Sequence, residues 1–380
     1  MSVIIITILL FLIYGCLIIY YRQSWLKIPI DNGQLTMGKQ FSTHISVIIP
    51  ARNEEENIRA CLESVSNQTY AQHLFEVIVI DDFSKDRTGE IVNSFSGKNV
   101  SLLFLKDFAK EGELNSYKKK AIGIAISKAN GKLIVTTDAD CIVPNKWLET
   151  IACFYEKHYP VFIAAPVAYH GENNFLKKFQ SLDFMTLQGI TGASVYKKFH
   201  RMCNGANLAY EKKVFLEVDG FAGIDNIASG DDILLMHKIF NRYPEKVLFL
   251  KSEDAIVQTK PAGTSKEFLN QRIRWASKAD RYTDKKITGV LLLVYLFNVW
   301  IFFIGLLSFF YHQIFFLFIG VVIAKTIVEL FFLYPVAIFF NKKKLLWWFP
   351  LAQPFHILYT IIAGWLGKFG SYKWKERKVK

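Results

Sequence analysis

Hydrophobic patterning divides the chain into three regions. Residues 3 to 20 (VIIITILLFLIYGCLIIY) are apolar without a break, about 18 positions, which is near the minimum that carries a helix across a bilayer. Arg22 and Lys27 follow, and basic residues on that flank predict a retained anchor over residues 1–22 with the downstream chain in the cytoplasm. A cleaved signal peptide would carry its basic residues ahead of the apolar run. The C-terminal third, residues 287–367, is apolar again. Ile287 to Tyr311 and Ile314 to Phe340 are each long enough to span; their connector Tyr311-His312-Gln313 has no Lys or Arg, whereas Asn341 to Lys344 carries three lysines. A hairpin that enters from the cytoplasmic side and returns to it is the expected topology. The last apolar stretch, Leu345 to Gly367, contains Pro350 and Pro354 and leads into a strongly basic tail, residues 368–380. That combination predicts a re-entrant or interfacial segment in preference to a third span, with the tail in the cytoplasm.

Between the membrane regions, residues 44–286 show short β-prone runs alternating with helical stretches. Ile45-Ser46-Val47-Ile48-Ile49 reads as a strand that stops at Pro50, which has no amide hydrogen for a ladder. A helix from Glu54 to Asn67, a strand from Phe75 to Ile80, a helix from about Thr88, a strand near Ser101 to Leu105, a helix from Lys118 to Ala129 and a strand at Leu133-Ile134-Val135 follow. Strands separated by helices of this length make βαβ units and a mostly parallel sheet. In such α/β sheets ligands bind beyond the carboxyl ends of the strands.

Composition narrows the partners. The chain has 380 residues, 52% of them hydrophobic, and a formal net charge of +13, which calls for nucleic acid, anionic lipid or a phosphorylated substrate. The aromatic residues concentrate in the apolar runs and no nucleic-acid module is present, which leaves membrane lipids and phosphates. Cys16, Cys61, Cys141, Cys153 and Cys203 show neither paired nor metal-ligand spacing, as suits a reducing compartment.

The residues that follow the strands carry the chemistry. Pro50-Ala51-Arg52-Asn53-Glu54 follows the first, Asp81-Asp82-Phe83-Ser84-Lys85-Asp86 the second, and Asp138-Ala139-Asp140 the fourth. Asp138 and Asp140 share one face, about 7 Å apart along an extended backbone, and like charges that close repel unless a positive charge accompanies them. Cap chemistry accounts for Asp86 ahead of Thr88, but not for paired acids at successive strand ends.

In order, VIIPARNEEENI, VIVIDDFSKDRT, TTDAD, GANLAY with GDD downstream, and QRIRW at 271–275 resemble the motif set of the family 2 glycosyltransferases, over about residues 45 to 276. The resemblance implies the nucleotide-sugar-binding α/β fold called GT-A, with a mostly parallel central sheet, a nucleotide-sugar donor and a divalent cation, Mn2+ or Mg2+. By resemblance, Asp140 binds the metal, Asp138 lies nearer the ribose or a metal water, Asp82 meets the base, and Ala51, Asn53 and Glu54 complete the nucleotide pocket. Lys118 opens a segment similar to the family's Lys-x-x-Ala-Leu and is implied near the phosphates, with Tyr117 standing where the family has glycine; a solvated helix start is the alternative. Asp232 is implied to be the base that takes the acceptor's hydroxyl proton, with Asp231 in place of the family's glutamate, and an acid there also complements a helix dipole. Gly205 and Asn207 are implied between donor and acceptor. Gln271, Arg274 and Trp275 match the Gln-x-x-Arg-Trp signature of membrane-embedded members. Arg274 suits diphosphate oxygens and Trp275 a sugar ring; a basic amphipathic helix on the membrane surface is the competing reading.

The implied activity is metal-dependent, inverting transfer of a sugar to a lipid or lipid-linked saccharide at the cytoplasmic membrane face. Processive synthesis of a polysaccharide through the membrane and a catalytically inactive scaffold are the alternatives. Lys325 and Glu329, four apart in a predicted span, either pair on one helix face or line a path. Trp374-Lys375-Glu376-Arg377 reads as a contact with anionic lipid.

Overall fold

The computed structural model describes residues 1–33, 40–97, 99–112, 114–227, 229–278 and 284–370, and the backbone alone of 372–374 and 377–379. The lipid-contact reading of 374–377 therefore concerns side chains outside the described residues. The chain forms two compact units, one of residues Pro29–Ala168 with Arg201–Lys260, the other of Met1–Ile28, Tyr169–His200 and Pro261–Lys380.

The first unit is built on a seven-stranded sheet. Its strands are β1 (Ile45–Ala51), β2 (Phe75–Asp81), β3 (Val100–Phe104), β4 (Leu133–Thr136), β5 (Phe162–Ala164), β7 (Leu208–Glu211) and β8 (Val247–Phe249), in the order β3-β2-β1-β4-β7-β5-β8. β6 (Val167–Tyr169) and β9 (Val257–Thr259) make a separate two-stranded sheet. β1 runs parallel to β2 and β4, with Val47 beside Val77 and Val135, while β7 is antiparallel to β4 and β5. Val47, Ile48 and Ile49 are fully buried, because a parallel sheet covered on both faces needs apolar side chains in both directions. The helices of this unit are α2 (Ile58–Ser66), α3 (Thr88–Asn93), α4 (Tyr117–Lys128), α5 (Trp147–His158), α7 (Lys212–Glu217) and α8 (Ile233–Arg242).

Two of the boundaries that differ from the sequence reading flank the loop after β1. β1 does not stop at Pro50 but continues to Ala51. On the β4 side its ladder ends with Thr137 donating to Ile48, so no partner there asks for the amide hydrogen that proline lacks. α2 starts at Ile58 and not at Glu54, because the amides of Asn57 and Ile58 both donate to the Glu54 carbonyl and close a turn first.

The second unit contains α1 (Ser2–Lys27), α6 (Phe175–Lys197), α9 (Ser265–Ala276), α10 (Lys285–Leu307), α11 (His312–Phe339) and α12 (Phe349–Phe369). Among the described residues, four helices are long and apolar enough to cross a membrane: Ser2–Lys27, Lys285–Leu307, His312–Phe339 and Lys343–Phe369. The last of these carries both prolines of the stretch read as re-entrant. Pro350 lies in the first turn of α12, where a missing amide hydrogen costs nothing, and the helix continues through Pro354. Residues 169–200 and 261–278, inside the stretch read as one soluble domain, group with these helices. α1 packs on α11 and α6, and α12 on α9 and α10; α6 approaches α11 so closely that a Cβ on Gly189 would meet Val336 at 2.7 Å. Lys325 and Glu329 pair at 2.7 Å, with Tyr14 and Gln353 donating to the carboxylate. The pairing reading is the one observed.

Candidate active site

β1 lies between β2 and β4, so the strand order reverses beside it and the carboxyl ends of β1 and β4 flank the resulting crevice. Antiparallel β7 enters the sheet at this same edge, with Leu208 opposite Thr136. The Gly205–Asn207 segment therefore stands beside the exit of β4, and the Thr136 hydroxyl donates to the Gly205 carbonyl at 3.0 Å.

Lys118 joins the acids of this edge. From the first turn of α4 its Nζ lies 2.7 Å from Asp138 Oδ1 and 3.2 Å from Asp231 Oδ2. Burial works against its charge, but Asp138 and Asp231 outweigh burial and hold its pKa above the usual lysine value. Of the two readings of Lys118, the solvated helix start is not the one observed. This ammonium is also a positive charge of the kind that the paired acids call for. Asp232 caps α8: one carboxylate oxygen accepts from its neighbour Ile233 N at 2.8 Å and the other from Gly205 N at 3.2 Å. Asp140 accepts from the Thr259 hydroxyl at 3.3 Å and from the Cys141 thiol at 3.7 Å. Burial first, then the charges of Asp140 and Asp138, push the Cys61 and Cys141 thiols up.

The loops after β1 and β2 are laced together. Asp82 is buried, its amide donating to the Ala51 carbonyl at 2.8 Å and its carboxylate 3.8 Å from Arg52. Arg52, itself buried, donates to the Asp82 carbonyl at 2.8 Å and reaches Glu111 at 3.4 Å. The sequence reading gave Arg52 no role; its place beside paired acids one strand away was the available signal. Asn53 takes a left-handed conformation, its side chain accepting from Lys85 N at 2.9 Å, and Glu54 accepts from the Asn57 side chain at 2.9 Å. Thr259, at the end of β9, carries no pattern that would have marked it.

Asn207 requires a correction. The expectation placed it between donor and acceptor, but it is fully buried, donating to the carbonyls of Pro166 (2.8 Å) and Ala255 (2.7 Å) and accepting from the Trp147 indole (2.9 Å). Its amide is committed to bracing the segment that enters β7. Gly205 lies beside the acids, since a Cβ there would lie 3.3 Å from Asp231 Oδ2.

Gln271, Arg274 and Trp275 belong to the other unit, on α9, which opens with a reciprocal capping box between Thr264 and Glu267. The buried arginine of this helix is Arg272, donating from Nε to Asp183 Oδ2 at 2.9 Å, with Nη2 in ion-pair contact with the same oxygen at 2.6 Å. Arg272 also donates to the Gln271 side chain at 2.8 Å, with its guanidinium 4.2 Å from the Trp275 ring centre. Arg274 and Trp275 are half-buried.

The donors at the end of β4 suit a hard divalent cation. Asp138 and Asp140 supply carboxylate oxygens, and no group of three or more His, Cys, Asp or Glu forms a cage among the described residues. One or two protein carboxylates with a shell finished by phosphate oxygens and water is the usual Mg2+ arrangement.

A mostly parallel sheet with acids and a lysine at its switch point defines a nucleotide-sugar-binding glycosyltransferase fold of the GT-A kind. The family model for glycosyl transferase family 2 matches residues 46–219, and that for glycosyl transferase family group 2 matches residues 133–366, more than half of the chain. The chain belongs to the family 2 glycosyltransferases. Glycosyltransferase AglE of Haloferax volcanii is 39% identical over 105 residues, 28% of this chain and 33% of that protein. The probable glycosyltransferase YdaM of Bacillus subtilis is 27% identical over 236 residues, 61% of this chain and 54% of that protein. The chain thus spans only about a third to about half the length of these relatives. The mannosyltransferase PcManGT from Pyrobaculum calidifontis, solved in complex with GDP-Man and Mn2+, shares the fold with a TM-score of 0.56 and 16% identity over 94% of this chain and 98% of that one.

Proposed function

We propose that this protein is a membrane-anchored, inverting, metal-dependent glycosyltransferase that moves a sugar from a nucleotide diphosphate to a lipid or lipid-linked saccharide at the cytoplasmic membrane face. The observation that carries this is the bridge of Lys118 between Asp138, at the donor end, and Asp231, beside the acid that caps α8. Asp140 and Asp138 would hold the cation, which when bound supplies Lewis-acid stabilisation of the departing diphosphate. Lys118 adds positive charge where that group leaves. Ala51, Asn53, Glu54 and Asp82 shape the nucleotide end. Asp232, held by two backbone amides, takes the acceptor hydroxyl's proton as that oxygen attacks the anomeric carbon from the face opposite the diphosphate. A single displacement of this kind inverts the anomeric centre. Arg274 and Trp275 serve the diphosphate and the acceptor sugar. Support for the donor class comes from the shared fold with a protein solved with GDP-Man and Mn2+, and support for the acceptor class from four apolar helices in one chain.

The test is incubation of the purified full chain with a panel of nucleotide sugars, Mn2+ and membrane lipids. Labelled sugar should enter a chloroform-soluble product, and a long water-soluble polymer would instead favour a processive synthase. Asp232→Asn should lower transfer by at least about a hundredfold while nucleotide binding is retained. Undiminished turnover in that variant refutes the assignment of the base.

A further inference from the structure

Lys119, next to Lys118 at the start of α4, is only 1% exposed. Its Nζ donates to three backbone carbonyls: Ile224 at 2.7 Å, Ile227 at 2.6 Å and Ser229 at 3.0 Å. An ammonium has three N–H groups, and these three oxygens take them. All three belong to the loop between α7 and α8, the loop that ends in Asp231 and Asp232. Its opposite end is held the same way, with Lys238 Nζ 2.8 Å from the Gly220 carbonyl and 2.9 Å from that of Ala222.

The loop cannot drift without breaking these bonds, and the Lys119 ammonium, itself buried, would then lose its acceptors. The step from the last held carbonyl to the acids passes through Gly230 at φ +82°, which L side chains rarely adopt. The peptide that presents Asp231 and Asp232 is thus fixed on one side by Lys119 and on the other by the amide of Gly205. Consecutive residues of one helical turn divide the work. Lys118 bonds the carboxylates, and Lys119 holds the backbone from which they project.

We propose that Lys119 is a positioning residue for the transfer reaction, setting Asp231 and Asp232 through the 224–229 carbonyls; this rests on the reading of Asp232 as the base. Lys119→Met and Lys119→Gln are compared with the parent full chain by hydrogen exchange, by titration with UDP and with GDP, and by the transfer assay above, per folded molecule. In Lys119→Met, exchange over residues 221–232 should rise by at least about tenfold with β1 and β4 unchanged, nucleotide dissociation constants should move by less than about threefold, and kcat should fall by at least about tenfold. Lys119→Gln, which keeps two donors, should fall between. Parental loop protection, or a nucleotide affinity that drops in step with kcat, overturns the proposal. If Lys119→Met does not fold, parental exchange and turnover in Lys119→Gln overturn it equally. Retained transfer in Asp232→Asn would remove the base assignment, while loop exchange still judges whether Lys119 holds the loop.

Discussion

At the scale of single residues, charge placement governs the site. Lys118 lies between two carboxylates. Lys118→Met leaves them facing each other without their counter-charge and, under the proposed function, removes a contact for the departing phosphates. Donor-nucleotide affinity should therefore fall by at least about tenfold, read by titration calorimetry, with little change in thermal stability. Lys251 shows the opposite case of a charge disfavoured by its surroundings. It is buried after β8, and burial lowers its pKa to about 8. Its folded pKa lies below the unfolded value, so the folded state carries the penalty fully below pH 8 and sheds it as pH rises toward the unfolded pKa of about 10.4. Denaturant titrations of the parent chain should accordingly show the penalty on this charge easing between pH 8 and pH 10.

At the scale of elements, a few polar clamps decide where helices and strands sit. Arg272 and Asp183 tie α9 to α6, and the Tyr359 hydroxyl from α12 donates to the same carboxylate. Asp183→Ala leaves a buried guanidinium uncompensated and should cost about 3–5 kcal/mol, visible as a large drop in melting temperature in detergent. Thr264→Ala removes one arm of the α9 capping box and should cost only about 1 kcal/mol. Gly131 enters β4 against the backbone of β1, where a Cβ would sit 2.4 Å from Ser46 N. Gly131→Ala must push two central strands apart, and far-UV circular dichroism with chemical denaturation should report severe destabilisation or failure to fold.

At the scale of the whole molecule, the unit boundaries do not follow the chain. α6 lies in sequence between strands of the sheet unit, yet it groups with α1 and α11. A fragment of residues 29–260 should therefore expose the apolar face of α6 and aggregate without detergent, measured by size-exclusion chromatography, whereas the full chain in detergent should not.

How much of this was legible depended on range. Strand cores, the end-of-strand acids and the apolar helices are local patterns: a Val/Ile run such as 45–49 or an 18-residue apolar stretch declares itself because side-chain period and hydrophobicity are set within a few residues. Ordered motifs then pointed to the family. The roles of Asn207 and Arg272 could not be read this way, since an asparagine in a Gly-x-Asn segment or a second arginine in a Gln-x-x-Arg-Trp segment looks the same whether it faces a ligand or a buried partner about 90 residues away. The pattern along the chain alone settled which residues could carry chemistry and which stretches had to leave water. Folding alone settled which of those polar groups remain available, because burial and hydrogen-bond pairing arise only when distant segments meet, as when Trp147, Pro166 and Ala255 close around Asn207.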